Sequence, residues 1–125
     1  MQDDRRALGT AGETRAAEFL VRQGYRILDR NVRVGGVEVD LIVRRGPLVA
    51  FVEVKTRRST HFGGPELAVD ATKQARLVRA AAAWLREHRG RARRVRFDVV
   101  TCMAPNQPSG AWQTVHWPGA FDAGS

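Results

Sequence analysis

Thirteen residues after Asp40 stands the tripeptide Glu53-Val54-Lys55, and Glu38 lies two residues before Asp40. All of them fall within VEVDLIVRRGPLVAFVEVK, residues 37–55, whose apolar and polar positions alternate like two strands of a hairpin. Glu38, Asp40 and Ile42 then share one side of the first strand, and Val49, Phe51, Glu53 and Lys55 share one side of the second. If the hairpin closes about Arg45-Gly46, Asp40 lies opposite Phe51 and Glu38 opposite Glu53, which makes Asp40 and Glu53 diagonal neighbours roughly 7 to 8 Å apart. Two carboxylates converging from that separation can share a cation of the Mg²⁺ kind, whose ligands stand at about 2.0 to 2.1 Å. Glu38 against Glu53 is a like-charge pair that destabilises a hairpin without a cation, so Glu38 is a further candidate ligand. Lys55 points to the same side, placed to orient or deprotonate a water or to meet charge developing on a phosphate. Each of these residues alone is an ordinary polar residue on the wet face of a hairpin. Together they predict a site for Mg²⁺ or Mn²⁺ that hydrolyses phosphodiester bonds.

The surrounding elements must hold that face in place. A helix is expected from about Ala7 to Gln23, capped by Asp3 or Asp4, with Leu8, Ala16, Ala17, Leu20 and Val21 at helical spacing and Gly24 ending it. Residues 25–33 read as a first strand that turns at Gly35-Gly36 into the hairpin. The polar, glycine-containing segment 57–65 reads as a loop long enough to be functional, with His61 in it. A long Ala-rich helix follows from Glu66 to His88, broken or bent near Asp70 to Thr72, and Arg89 to Arg94 stops it. Residues 95–102 read as a strand, and Trp112 to Trp117 as a short last one. A hairpin joins antiparallel strands and a helical crossover joins parallel ones, so the order predicts an α/β fold with a mixed central sheet flanked by helices. The apolar alternate side of the hairpin, Val39, Leu41, Val43, Ala50, Val52 and Val54, is the expected core face. At this length one domain is expected over residues 1–121, with residues 122–125 a frayed tail.

Lys plus Arg number 21 against 13 Asp plus Glu, a formal charge of +8 that favours a polyanionic partner, nucleic acid before any other. Of the 21 cations only Lys55 and Lys73 are lysines, which marks them as positions suited to a compact, titratable ammonium. No apolar run reaches the roughly 18 residues that span a bilayer, and the first residues carry no signal-type segment, so a cytoplasmic location with no membrane partner is expected. Cys102 is the single cysteine and forms no disulfide within the chain.

The spacing of Asp40 and Glu53-Val54-Lys55 resembles the signature of the PD-(D/E)XK nuclease superfamily, with Val39 where the signature's name has Pro. More closely, Gly9 to Ala17, Glu38 to Ile42, Phe51 to Arg57, Phe62 to Pro65 and Val95 to Val100 are similar to the UPF0102 (YraN-like) family of predicted endonucleases. The resemblance spans about residue 7 to Phe121. It implies a restriction-endonuclease-like αβββαβ core, Asp40 and Glu53 as Mg²⁺ ligands and Lys55 as the catalytic lysine. Glu13, on the apolar face of the first helix, needs a partner there. It is similar to the helix-borne Glu of archaeal Holliday-junction resolvases and is a candidate fourth catalytic residue, the other reading being an acid of the helix's first turn or a salt bridge to one of the many Arg. Lys73 and Gln74 fall where superfamily members often carry an additional polar residue of the site. Together with Arg57 and Arg58 they are candidate nucleic-acid contacts, whose affinity would be independent of sequence. The expected activity is metal-dependent endonucleolytic cleavage, with DNA favoured as substrate, branched and single-stranded forms included. The alternative is a nucleic-acid-binding module that keeps the nuclease scaffold without its chemistry. Several relatives in the superfamily work as dimers, because cutting two strands needs two sites, so a homodimer is a further expectation.

Overall fold

A computed structural model describes residues 2–58, 69–90 and 92–123, with the side chains of Gln2 and Asp3 excepted. The segment 59–68, with His61 and Phe62 to Pro65, lies outside the described residues, as does the expected start of the second helix at Glu66.

Two helices and five strands follow one another: α1 (Gln2–Arg22), β1 (Arg26–Val34), β2 (Val37–Arg45), β3 (Leu48–Arg58), α2 (Ala71–Glu87), β4 (Arg94–Ala104) and β5 (Gln113–Phe121). The strands lie in sequence order in a single sheet, antiparallel except for β3 and β4, which α2 connects as a parallel pair. This is the expected mixed α/β sheet flanked by helices, consistent with a restriction-endonuclease-like core. Asp3 and Asp4 lie inside α1 instead of capping it, because the helix already begins at Gln2. Gly24 ends α1 at φ 95°. For α2 the cap is Asp70, extended at φ −66° and ψ 162°, whose carboxylate accepts from the Lys73 amide. Among the described residues no helix is long and apolar enough to cross a membrane.

The two tight turns set the strand register. Gly35 and Gly36, at φ 58° and 78°, form a two-residue link with Val34 opposite Val37. In the next hairpin Arg45 lies opposite Leu48, so the turn is Gly46-Pro47 and not Arg45-Gly46. Gly46 takes the left-handed conformation at φ 59°, and the Pro47 carbonyl accepts from the Arg93 and Arg94 amides, fixing where β4 begins.

The expectation that one side of the hairpin is wet does not hold, because helices cover both sides. On one side α1 buries Ala16, Ala17 and Leu20 against Leu41, Val43, Ala50 and Val52. On the other side α2 buries Leu77, Ala80 and Trp84 against Val39, Ile42, Val49 and Phe51. Val39 therefore packs toward α2 while Leu41 and Val43 pack toward α1, and strict alternation breaks between them, at Asp40. Trp84 is a core residue, edge-on to Phe51 at 5.9 Å.

Helix α1 meets the sheet most closely at Gly12. Its carbonyl accepts from the Cys102 thiol at 3.3 Å, and a methyl group there would stand 2.8 and 2.9 Å from Cγ2 and Cβ of Thr56. Gly12→Ala is expected to push α1 off β3 and lower stability by about 1 to 3 kcal/mol, the usual cost of overpacking. Urea unfolding would measure it, and Thr56→Ala in the same chain should recover part of the loss.

Candidate functional site

The sheet forks where the acids lie. The β2–β3 ladder ends at Leu41 opposite Val52, whereas β2 stays paired with β1 as far as Val37 and β3 with β4 as far as Arg58. At the fork a side chain replaces the missing backbone partner, since the Val54 amide donates to Asp40 Oδ2 at 2.8 Å. Continuing the observed register sets Asp40 straight across from Glu53. The turn's displacement to Gly46-Pro47 thus corrects the expected pairing of Glu38 with Glu53 and of Asp40 with Phe51, which instead faces Ile42. Glu38 lies opposite Arg33 of β1 and is exposed.

Asp40, facing a second carboxylate in a largely covered fork, resists ionisation. Burial first, then the charge of Glu53 and that of Glu13, push the Asp40 carboxyl from 3.8 up to about 7, and a hydrogen bond with Glu53 works in the same direction. The Val54 amide opposes them. Glu53 is itself buried, and its Oε2 is ion-paired with the ammonium of Lys73 from the first turn of α2. Glu13 sits on α1, near enough to Asp40 to act on its charge, and accepts from Asn31 Nδ2 at 2.9 Å. Among the described residues the partner of Glu13 is thus an amide rather than an Arg. Asn31 holds a left-handed backbone, φ 47°, in the middle of β1.

An open cleft of about 740 Å³ lies between the β1–β2 turn and α2. Glu38, Asp40, Glu53 and Lys73 line it, together with Asp70. Lys55 is the next residue of β3 on Glu53's side, level with Thr101 of β4, and is partly buried. Arg57, Arg58 and Gln74 are not part of the cleft's lining. The Arg57 guanidinium donates to the Thr56 carbonyl at 2.8 Å, Arg58 is exposed at the end of β3, and the Gln74 amide donates to the Val69 carbonyl at 2.7 Å. The cations that do line the cleft beside Lys73 are Arg33, Arg76 and Arg79, which the sequence reading passed over. Their signal was available: Arg76 and Arg79 follow Lys73 at steps of three along a helix, and Arg33 stands just before the Gly35-Gly36 turn.

The donor set bears on the metal. Among the described residues no group of three or more His, Cys, Asp or Glu could enclose an ion. Mg²⁺ asks for less, one or two carboxylates with water filling the remaining positions, and the opposed pair Asp40 and Glu53 fits that requirement. A pair that holds a proton near neutrality is also a pair that a divalent cation can discharge.

A second polar cluster lies on the α1 side of the sheet. Asp98 is fully buried and accepts from Arg96 Nε and Nη2 at 2.7 Å each, from His116 Nε2 at 2.7 Å and from the Gly119 amide at 3.0 Å. Arg96 also donates to the Tyr25 hydroxyl at 2.7 Å. Burial alone would raise the Asp98 pKa, but its hydrogen bonds from His116, Arg96 and Gly119 bring it below the usual value.

Residues 12–102 match the family described as "Uncharacterised protein family UPF0102". The chain is 46% identical over 118 residues to a UPF0102 protein of Trichlorobacter lovleyi, covering 93% of this chain and 91% of that one. A UPF0102 protein of Geobacter metallireducens is 42% identical over 117 residues, 94% of this chain and 93% of its own. One of Anaeromyxobacter dehalogenans is 46% identical over 120 residues, 96% and 87% of the two chains.

Proposed function

The chain belongs to the uncharacterised protein family UPF0102, and from that premise we propose that it is a metal-dependent endonuclease that hydrolyses phosphodiester bonds of nucleic acid, with DNA as the expected substrate. The observation that carries the reading is Asp40 facing Glu53 in the fork of the sheet, with a carboxyl pushed up to about 7 and a cation-lined cleft in front of it.

Asp40 and Glu53 would hold Mg²⁺ or Mn²⁺; the further ligand expected at Glu38 is not part of the proposal, since among the described residues no three such side chains come together and Glu38 stands exposed opposite Arg33. When bound, the ion supplies Lewis-acid stabilisation of charge on the phosphate oxygens. Lys55, beside Glu53, orients the attacking water or takes its proton. Glu13 acts on Asp40 across the fork, and Asn31 fixes its carboxylate. The formal charge of +8 brings the polyanion to the protein, and the proposal places this encounter in the cytoplasm.

One observation favours the alternative of a binding module without chemistry: Lys73 already supplies Glu53 with a cation. Calorimetric titration of Mn²⁺ together with a cleavage assay separates the two. The enzyme reading expects one Mn²⁺ site, lost in Glu53→Gln, and cleavage of at least one of single-stranded, duplex or branched DNA that stops with EDTA. Nucleic-acid binding with neither a metal site nor cleavage of any DNA or RNA form gives the answer to the alternative.

A further inference from the structure

The cleft pairs its lysine with an acid, Lys73 with Glu53, and leaves arginines beside them. Its floor carries Asp40 and Glu53 with Glu38 at the edge, yet among the described residues neither Arg76 nor Arg79 makes an ion pair or a hydrogen bond, and both are exposed. Arg33 spends one guanidinium nitrogen on the Gly36 carbonyl at 2.9 Å, at the turn that forms the opposite wall. Exposed arginines gain little by pairing with acids in water, so Arg76 and Arg79 stay available to a ligand. Arginine presents a planar fork of donors suited to phosphate.

We propose that Arg33, Arg76 and Arg79 form a phosphate track that seats two or three consecutive phosphodiesters of one nucleic-acid strand in the cleft, leading one of them onto Asp40 and Glu53. Helical rise sets the spacing: Arg76 and Arg79 stand about 4.5 and 9 Å along α2 from Lys73. Successive phosphates of a strand advance by about 3.4 Å along a duplex axis and further in an extended single strand, so this span covers neighbouring phosphates and not one alone. No aromatic side chain lines the cleft among the described residues, so the track grips the backbone and leaves the bases unread. This deepens the endonuclease reading, on which it rests for the fate of the strand but not for the binding itself.

The test is fluorescence anisotropy of a labelled 12-nucleotide DNA in EDTA, where nothing is cut, over a series of salt concentrations, with a duplex of the same sequence run alongside. The triple variant Arg33→Gln, Arg76→Gln, Arg79→Gln should flatten the slope of log K against log salt by about 2 for the single strand or nearly 3 for the duplex. That corresponds to about 100-fold weaker binding at 0.1 M salt. Removing the same charge elsewhere, Arg86→Gln with Arg89→Gln and Arg94→Gln, should cost a few-fold at most, and an abasic oligonucleotide should bind the native protein as well as a normal one. Equal losses in the two triple variants, an unchanged salt slope, or failure of the abasic strand would each overturn the track. A native protein that binds in this pattern but never cuts would leave the track standing and remove the endonuclease.

Discussion

Asp40→Asn should abolish divalent-dependent cleavage, by on the order of 10³-fold, while the purified variant melts at a higher temperature than the native protein at pH 8. Loss of activity with a gain in stability follows from one feature. Asp40 and Glu53 are held face to face by the register of β2 and β3, and the folded protein keeps a proton on the pair until about pH 7, against 3.8 for a free Asp. A carboxyl whose pKa is raised by folding stabilises the fold below its unfolded value, progressively less through the window from pH 3.8 to about 7, and not at all above it. At pH 8 the fold therefore carries two ionised carboxylates in contact. Asn can still accept from the Val54 amide but brings no charge, so it removes first the cost of burying the carboxylate and then its repulsion from Glu53, together on the order of 2 kcal/mol, equal to several degrees of melting temperature in a domain of this size. The gain should shrink as pH falls below 7 and vanish only below about 3.8, where Asp40 is neutral in the folded and the unfolded chain alike. A melting curve of both proteins at each pH measures this, and a variant no more stable than the native protein at pH 8 would contradict the strained pair.

The opposite result is expected at Asp98. Asp98→Ala removes the acceptor of four hydrogen bonds and leaves Arg96 and His116 facing an emptied buried position, a loss of about 3 to 5 kcal/mol. For a small domain that is a large part of the total stability, so chemical denaturation should show a much earlier midpoint, or no folded protein at all. Asp98→Asn keeps the shape and part of the bonding and should lose less, which separates the effect of the charge from that of the cavity. The pH dependence runs the other way from Asp40. The net fall of the Asp98 pKa means that its contribution is present above the unfolded value and disappears as pH falls through the folded one, in the acid range. The metal-free protein thus has one buried carboxyl that prefers mild acid and one that requires the absence of strong acid.

The sequence disclosed the order of the elements and Asp40, Glu53 and Glu13 because each rests on local pattern: two-residue alternation, helical spacing, a glycine at each turn. It could not disclose register. Moving the turn by one residue, from Arg45-Gly46 to Gly46-Pro47, moves every cross-strand pair by two, and the difference between Glu38 and Asp40 as the residue opposite Glu53 depends on it. Nor could alternation show that Val39 and Leu41 pack under different helices, since both read as apolar whichever face they take. Arg57 and Arg58 adjoin the motif in sequence, whereas the helical spacing of Arg76 and Arg79 from Lys73, though legible, leads to the cleft and to Arg33 only once α2 is docked over the β1–β2 turn, and that docking is tertiary information. The bonds from Asp98 to His116 and from Arg96 to Tyr25 span 18 and 71 positions and leave no local trace.

The bond from the Val54 amide to Asp40 is the last stitch in the seam between two halves of the sheet, with β1 and β2 on one side and β3 to β5 on the other. Under the proposed function, the oxygen that closes the seam belongs to the carboxylate that would meet the ion. Whatever drew that carboxylate forward would pull on the stitch, so occupancy of the cleft and the spacing of the two halves would not be independent quantities, and loading the site would also be a tug on the cloth.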